Sequence, residues 1–328
     1  MPSSATLPEK TTQYVPHRLH ADDRTWPLSG GHVDVWVEVL HAQGLEPSAG
    51  LGFTLALDYE GDQFTSLGFP RADLRVLYGI EVHDLAVWRP LVAHAAQQMA
   101  LGRTMLIETD AFFLPDTAGT LYRYEHVSTT IALAAIDAER ERLDYFHGRG
   151  RYTLGGNDFA GVFRTGAYVA DATVLPPAAE IAKLEHLTDL ARPALVERAT
   201  ALARLHIAAA PAANPIARWG ERVPRDIEWL RDDPRASIQR YAYVTVRQAG
   251  VCAELAASFL AWLDANGVRR FGDATDAFRR VAQSAKLAHL KLGRMARSRV
   301  LVDISSDVDA MVSAWDEAVS RVADHLAR

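Results

Sequence analysis

A histidine and an aspartate on two consecutive predicted strands are the residues best suited to acid–base chemistry. His126 precedes an apolar, β-branched run that extends to Asp137, and Asp144 lies in a second short run, 142–147. The polar segment between the runs predicts a turn, so the strands should pair antiparallel and bring His126 and Asp144 together. An aspartate on one ring nitrogen leaves the other nitrogen free as a base. Asp137, the competing partner, is better explained by the turn itself.

A thiol that such a base would activate is missing where one is expected. The Ser29-Gly30-Gly31 segment leads into a predicted helix, whose first turn presents free N–H groups to an anion or oxyanion. The glycines equally well serve only to begin that helix. Ser29 offers a hydroxyl as a candidate nucleophile, and Gln63, beside Asp62 in a predicted turn, is a further candidate oxyanion donor. Cys252 lies in an alanine-rich helical segment, which favours a buried, unreactive thiol.

Metal and nucleotide chemistry find little support in the residue spacing. His17 and His20 would suit a metal pair, but no third ligand follows at a diagnostic distance, so no metal is predicted. Asp110 and Asp116 could contact a cation, although surface turns collect acidic residues in any case. Phosphate-binding loops and dinucleotide fingerprints are missing from the sequence.

Bulk composition narrows the class of protein. The chain has 328 residues, of which 49% are hydrophobic, enough for one large core or two smaller ones. A net charge of −6 argues against a nucleic-acid-binding surface. Since the sequence contains no apolar run of membrane-spanning length, no secretory signal and a single cysteine, we expect a cytoplasmic protein without membrane attachment.

The periodicity of apolar residues predicts an α+β domain followed by a helical one. Val33, Trp36, Val37 and Leu40 form one stripe of a helix that ends at Gly44. Further helices and then an antiparallel sheet follow, before alanine-rich helical segments take over. The predicted divisions are a flexible arm over 1–15, an α+β domain over 16–175 and an all-α domain over 176–328. Helices of the last are expected near 178–190, 194–210, 236–265, 273–298 and 306–327.

Several phrases of the sequence resemble the bacterial "domain of unknown function 1839" family over nearly the whole chain. They include Pro16-His17-Arg-Leu-His20, Val33-Asp34-Val-Trp36-Val-Glu-Val-Leu40-His41, Glu60-Gly-Asp-Gln63, Leu114-Pro-Asp-Thr-Ala-Gly119 and Tyr145-Phe-His147. The N-terminal half is similar, more distantly, to the papain-like (cysteine-proteinase-like) fold of the butirosin acyltransferase. Family members tend to accompany amino acid:carrier-protein ligases and small acyl-carrier proteins.

This resemblance implies an acyltransferase. Such an enzyme moves an aminoacyl group from a carrier protein's phosphopantetheine thioester to a small-molecule amine and binds no cofactor of its own. The expected partners are an acyl or peptidyl carrier protein and an amino acid:carrier-protein ligase. In the family pattern a cysteine usually stands where this chain has Gly31. The implied site comprises His126 as base, Asp144 as its orienter, Gly31 at the nucleophile position, and Ser29, Gly30, His32, Asp62 and Gln63 as substrate contacts.

The glycine leaves several interpretations open. The chain could transfer the acyl group directly, bind a carrier protein or ligase without catalysis, or have had its cysteine replaced. A further alternative is an amidase or peptidase-like hydrolase with Ser29 as nucleophile. The transfer chemistry requires the imidazole, the carboxylate and the glycine-rich helix start to lie close together.

Overall fold

The computed structural model describes most of the chain, namely residues 14–168, 178–232, 237–268, 271–298 and 300–327. The predicted arm, 1–15, lies outside the described residues except for Tyr14 and Val15. Strands and helices mix up to Lys183, whereas the elements described after it are all helices. This arrangement confirms the predicted α+β class with an antiparallel sheet and a helical C-terminal region.

The chain forms two compact units that interleave along the sequence. The first comprises the chain up to Ala21, Gly30–Leu45 and Leu74–Asp189; the second comprises Asp22–Ser29, Glu46–Asp73 and the chain from Leu190 onward. The predicted domains, 16–175 and 176–328, follow chain order instead. Nothing in the composition of 46–73 indicates that this segment packs with helices found much later in the sequence.

Among the described residues, six strands build the sheet of the first unit, in the spatial order β1-β6-β2-β3-β4-β5, and each neighbouring pair is antiparallel. Their bounds are Glu81–Asp84 (β1), Thr104–Asp110 (β2), Ser128–Asp137 (β3), Arg142–His147 (β4), Gly150–Gly155 (β5) and Ala179–Lys183 (β6). The hairpin of β3 and β4 is the predicted one, with Asp137 opposite Arg142.

The prediction of a helix over 178–190 is wrong, because Ala179–Lys183 form a strand in the interior of the sheet. Ala182 lies opposite Val82 of β1 and Thr104 of β2, so β6 has a hydrogen-bonding neighbour on each edge. Backbone pairing on two edges outweighs the modest helix preference of its alanines, since propensity is a weak local bias.

Alternate residues of the central strands face opposite sides of the sheet, as strand geometry requires. Helices α3 (Leu91–Ala100) and α4 (Asn157–Phe163) cover one side. Buried residues that pack together there include Met105, Ile107, Ile131, Leu133, Leu143 and Tyr145. Intervening residues such as Ala132 and Phe146 are buried too. Ala132 and Phe146 face the other side of the sheet, where helix α1, Gly31–Ala42, contacts β3 and β4.

Helices dominate the second unit. They are α5 (Arg192–Ala209), α6 (Pro215–Asp232), α7 (Ile238–Ala242), α8 (Gln248–Ala265), α9 (Gly272–Ser298) and α10 (Ser305–Ala327). A 3-10 helix, Pro47–Ala56, packs against α5 and α8. Pro224 lies within α6, on its exposed side. The buried stripe of α6, which includes Trp219 and Val223, holds the helix together around it.

Cys252 is a buried structural residue, as its alanine-rich surroundings predicted. It lies on α8 and is completely inaccessible, and its thiol donates to the carbonyl oxygen of Thr54 over 3.1 Å. Burial raises the pKa of this thiol, which disfavours the reactive thiolate. The only cysteine of the sequence therefore cannot serve as an exposed nucleophile.

Gly79 ends helix α2, Arg71–Tyr78, and an alanine there should destabilise the first unit by about 2 kcal/mol. Its φ is +70°, and a Cβ would lie 2.1 Å from the carbonyl oxygen of His186. Gly44, with φ +74° and no atom near its Cβ position, is the matched control for backbone strain alone. Chemical denaturation of both alanine variants should therefore show the larger loss for Gly79→Ala. Equal losses would contradict the steric argument.

Candidate functional site

His126 lies just before β3 and not within it. Its Nδ1 lies 2.5 Å from Oδ2 of Asp110, and its ring stacks on Phe112 with centroids 4.2 Å apart. The imidazole is 68% exposed. Arg123, with φ +58°, lies in the turns that precede His126, and the strand begins only at Ser128. His126 thus has a carboxylate partner, but a different one from the aspartate predicted.

Asp144 is held elsewhere on the sheet. It lies opposite Ala135 in the β3–β4 pairing, while His126 precedes the first residue of β3. Its carboxylate accepts from Thr153 Oγ1 over 2.8 Å and from Arg151 Nη2 over 3.2 Å, both on β5. The predicted contact between His126 and Asp144 is therefore not made. The reason is register: the turn follows Asp137, so Asp144 pairs near the end of β3 remote from His126.

Gly31 is the first residue of α1, as the sequence predicted, and the carboxylate of Asp34 fixes this start. Asp34 Oδ2 accepts from the backbone N–H of Gly30 over 3.0 Å. A Cβ placed on Gly31 would lie 3.4 Å from Thr129 Oγ1 and 3.4 Å from the backbone nitrogen of Thr130. A small side chain at position 31 would therefore point at the first residues of β3.

The hydroxyl opposite Gly31 begins a chain of hydrogen bonds that resembles a catalytic triad. Thr129 Oγ1 lies 3.0 Å from His147 Nε2, and His147 Nδ1 lies 2.6 Å from Asp116 Oδ2. His147 is at the end of β4, and Asp116 is in the 3-10 turn Pro115–Thr117. Hydroxyl, imidazole and carboxylate in this order are the arrangement that activates a nucleophile or relays a proton.

The carboxylate of the triad is held from both sides. Its second oxygen, Oδ1, accepts from the Tyr145 hydroxyl over 2.5 Å. Burial and the nearby Asp116 carboxylate raise the pKa of Tyr145, so the phenol keeps its proton. The side chains of Asp116 and His147 are only 6% and 14% exposed. Because Asp116 can only accept, the ring proton of His147 belongs on Nδ1, and Nε2 is left to accept from Thr129.

A second buried network holds the body of α1. Glu38, which is completely buried, accepts from the Tyr14 hydroxyl and from the backbone N–H of His17, and it contacts His20 Nδ1. His20 Nε2 lies 3.1 Å from Asp34 Oδ1. Burial disfavours the imidazolium, but the two carboxylates outweigh it and raise the pKa of His20 to about 9. A cation between two anions thus ties the 14–20 segment to the helix that presents Gly31.

The other residues predicted to contact the substrate do not form one cluster. His32, next to Gly31, places its Nε2 3.4 Å from Glu180 Oε2. Ser29 is buried in the second unit, where Arg247 donates to its carbonyl over 3.1 Å. Asp62 and Gln63 are exposed in a turn of the second unit. Within the described ranges, no group of three or more His, Cys, Asp or Glu side chains could hold a metal ion.

Sequence reasoning missed Thr129, His147 and the role of Asp116. One signal was available: Tyr145 and His147 are two residues apart on a strand, so both polar groups face the same, largely apolar side of the sheet. A polar pair on a buried face requires a partner. That partner, Asp116, comes from a distant turn, and no spacing rule connects it to His147.

Two protein-family models match most of the chain. The family model described as "DUF1839 N-terminal domain" matches residues 15–184, and the model described as "DUF1839 C-terminal domain" matches residues 192–324. No curated protein matches the chain. In the part of the chain that the structure describes, none of the helices combines the length and apolarity needed to cross a membrane.

Proposed function

The chain belongs to the domain of unknown function 1839 family, and from its Thr129–His147–Asp116 cluster we propose that it is an acyltransferase. It moves an aminoacyl group from a carrier-protein phosphopantetheine thioester to an amine acceptor. The observation that carries the proposal is the hydrogen-bonded triad facing position 31 at the start of α1. An amino acid:carrier-protein ligase would supply the charged carrier.

The proposal extends to a papain-like arrangement of the first unit. In such a site a helix start faces two adjacent antiparallel strands, one bearing a base and the next its orienter. Here Thr129 of β3 takes the place expected for the base, and His147 of β4 takes the place expected for the orienter. Asp116 then supplies the carboxylate from outside the strand pair. In this proposal the base is His147, which lies on β4 instead of β3 and acts through the Thr129 hydroxyl.

Thioester aminolysis suits a site without a thiol. The acceptor nitrogen attacks the thioester carbonyl, the carbon–nitrogen bond forms, and the carbon–sulfur bond breaks. His147 takes the proton of the attacking nitrogen through the Thr129 hydroxyl and returns a proton to the departing thiolate. The N–H groups at the start of α1, including that of Gly31, lack intrahelical acceptors and would stabilise the oxyanion of the tetrahedral intermediate.

A transfer assay with a generic amine tests the proposal. The full chain would be mixed with aminoacylated carrier protein and hydroxylamine, and aminoacyl hydroxamate would be measured. We expect turnover by the parent protein and at least about 100-fold less with Thr129→Val, because the proton path is broken. Thr130→Val, at the neighbouring position of β3, is the matched control and should keep activity. Activity that survives Thr129→Val would contradict the proposed path.

Gly31→Cys should convert one-step transfer into covalent transfer. Position 31 has room for a Cβ at 3.4 Å from its neighbours, and a helix N-terminus favours a thiolate. Intact-mass measurement with aminoacylated carrier should show an added aminoacyl group on the variant and none on the parent. An acylated parent would show a covalent intermediate and would overturn direct transfer.

Non-catalytic binding of a carrier protein or its ligase is the second candidate, and the glycine at position 31 favours it. It predicts that parent and Gly31→Cys both bind charged carrier in a pull-down yet yield no hydroxamate. The hydrolase alternative with Ser29 receives no geometric support, because that residue is buried in the second unit.

A further inference from the structure

A cavity of about 620 Å³ lies within the second unit, and its lining includes none of the residues discussed so far as catalytic. Its walls come from α6, from the segment 301–304 and from the first half of α10. The volume falls in the range of small-molecule sites, roughly 300–1,000 Å³. Gly220 marks a close approach of α6 to α10, since a Cβ there would lie 2.8 Å from Val308 Cγ1.

The cavity combines an apolar floor with an acidic rim. Val223, Ile227, Ile304 and Val308 are buried and line it. Four carboxylates, those of Glu221, Glu228, Asp303 and Asp309, also line it, and all four residues are exposed. Among its described lining residues there is no lysine, arginine or histidine. A rim with four carboxylates over an apolar floor favours a ligand of opposite charge with an apolar body.

Two arginines of α6 make their hydrogen bonds to carboxylates outside the cavity lining, although the charge of Glu228 on the rim also acts on Arg231. Arg222 Nε lies 2.9 Å from Asp226 Oδ1, and Arg231 Nη2 lies 2.7 Å from Asp232 Oδ2. One rim carboxylate is also fixed in place: Asp303 Oδ1 accepts from the backbone N–H of Ser305 at the start of α10 over 2.8 Å. The position of this carboxylate is therefore pre-organised, and the charge of Lys291 also acts on it.

We propose that this cavity binds a small organic amine that carries an apolar chain or ring, with its ammonium group at the acidic rim. The inference rests on cavity shape and charge alone and is independent of the proposed acyl transfer. Loss of transfer activity would leave it untouched, and its own failure would leave the transfer proposal untouched.

Three probes of equal chain length test the charge selection: octylammonium, 1-octanol and octanoate. Titration calorimetry with the full chain, supported by saturation-transfer NMR, should show binding of octylammonium, weaker binding of octanol and none of octanoate. Equal affinity for all three would reveal an apolar surface without charge recognition and would overturn the proposal. Absence of octylammonium binding would overturn it as well.

Variants locate the site. Glu221→Gln/Glu228→Gln should weaken octylammonium binding by about threefold to tenfold, the effect expected from losing two exposed ion pairs, and should leave octanol binding unchanged. Val312→Phe, which fills the cavity, should abolish binding of both ligands. The matched control Glu197→Gln/Asp324→Asn removes two exposed acids of α5 and α10 outside the lining. Weakening by the control pair equal to that of the rim pair would place binding elsewhere.

Discussion

Replacing His147 with alanine is expected to lower the rate of thioester aminolysis by about 100-fold or more, since a positioned general base contributes roughly 10²–10⁴ in rate. The imidazole is the only group through which the Thr129 hydroxyl reaches the Asp116 carboxylate in the geometry described. Without it, a proton from the acceptor amine would have to leave through solvent. Hydroxamate formation from aminoacylated carrier, measured at saturating carrier, reports the effect on kcat.

His126→Ala is the matched control for this prediction, because it removes the histidine that sequence reasoning favoured. His126 is mainly exposed and bonded to Asp110, with no described contact to Thr129 or position 31. Its loss should leave the rate within about twofold. The transfer rate of Asp116→Asn should lie between the rates of His126→Ala and His147→Ala, because an amide does not hold the ring proton of His147 on Nδ1 as a carboxylate does. An inactive His126→Ala beside an active His147→Ala would overturn the assignment of the base.

A loss of activity caused by misfolding must also be distinguished from a loss of the catalytic group itself. His147 is largely buried, so its removal leaves the Asp116 carboxylate with one partner fewer and costs stability. His147→Gln keeps a donor toward Asp116 but lacks a titratable nitrogen. We expect this variant to melt near the parent temperature and still lose transfer, which a purely structural role of His147 would not produce.

The elements of the candidate site were predictable, whereas its side chains were only partly so. The apolar stripe Val33–Leu40 and the glycines before it defined α1, and the β-branched run defined β3 with its return strand. Both signals are local periodicities, which sequence records directly. They correctly placed Gly31 at a helix start opposite an antiparallel pair, and the structure adds the specific neighbour, Thr129.

The triad itself depends on facts that local periodicity does not encode. Strand β3 begins at Ser128, so His126 falls outside it, and the Thr129 hydroxyl becomes the side-chain atom nearest to a Cβ at position 31. A shift of a residue or two in where a strand begins changes which side chain enters the site. Asp116 reaches His147 from a turn 31 positions earlier in the chain. Such a contact is a product of tertiary packing, in the same way as the insertion of β6 between β1 and β2.

The first unit should lose stability as pH rises from about 6.5 to about 9, because folding raises the pKa of His20. A raised pKa means that the folded state binds this proton more tightly than the unfolded state. The resulting stabilisation is complete below the unfolded pKa of 6.5 and is lost as pH passes through about 9. At about 1.4 kcal/mol per unit, the loss is about 3 kcal/mol.

Two measurements on one set of variants check this expectation. NMR of histidine-labelled protein should show one imidazole that titrates near pH 9, and urea unfolding followed through Trp36, which is buried on α1, should give a falling free energy over the same interval. In His20→Gln the slope should flatten, since the group that releases the proton is gone. His83→Gln, which removes an exposed histidine of β1, should keep the slope. A slope that persists in His20→Gln would assign the titration to another group. The Asp34–His20–Glu38 network would then not be what fixes the helix that presents Gly31.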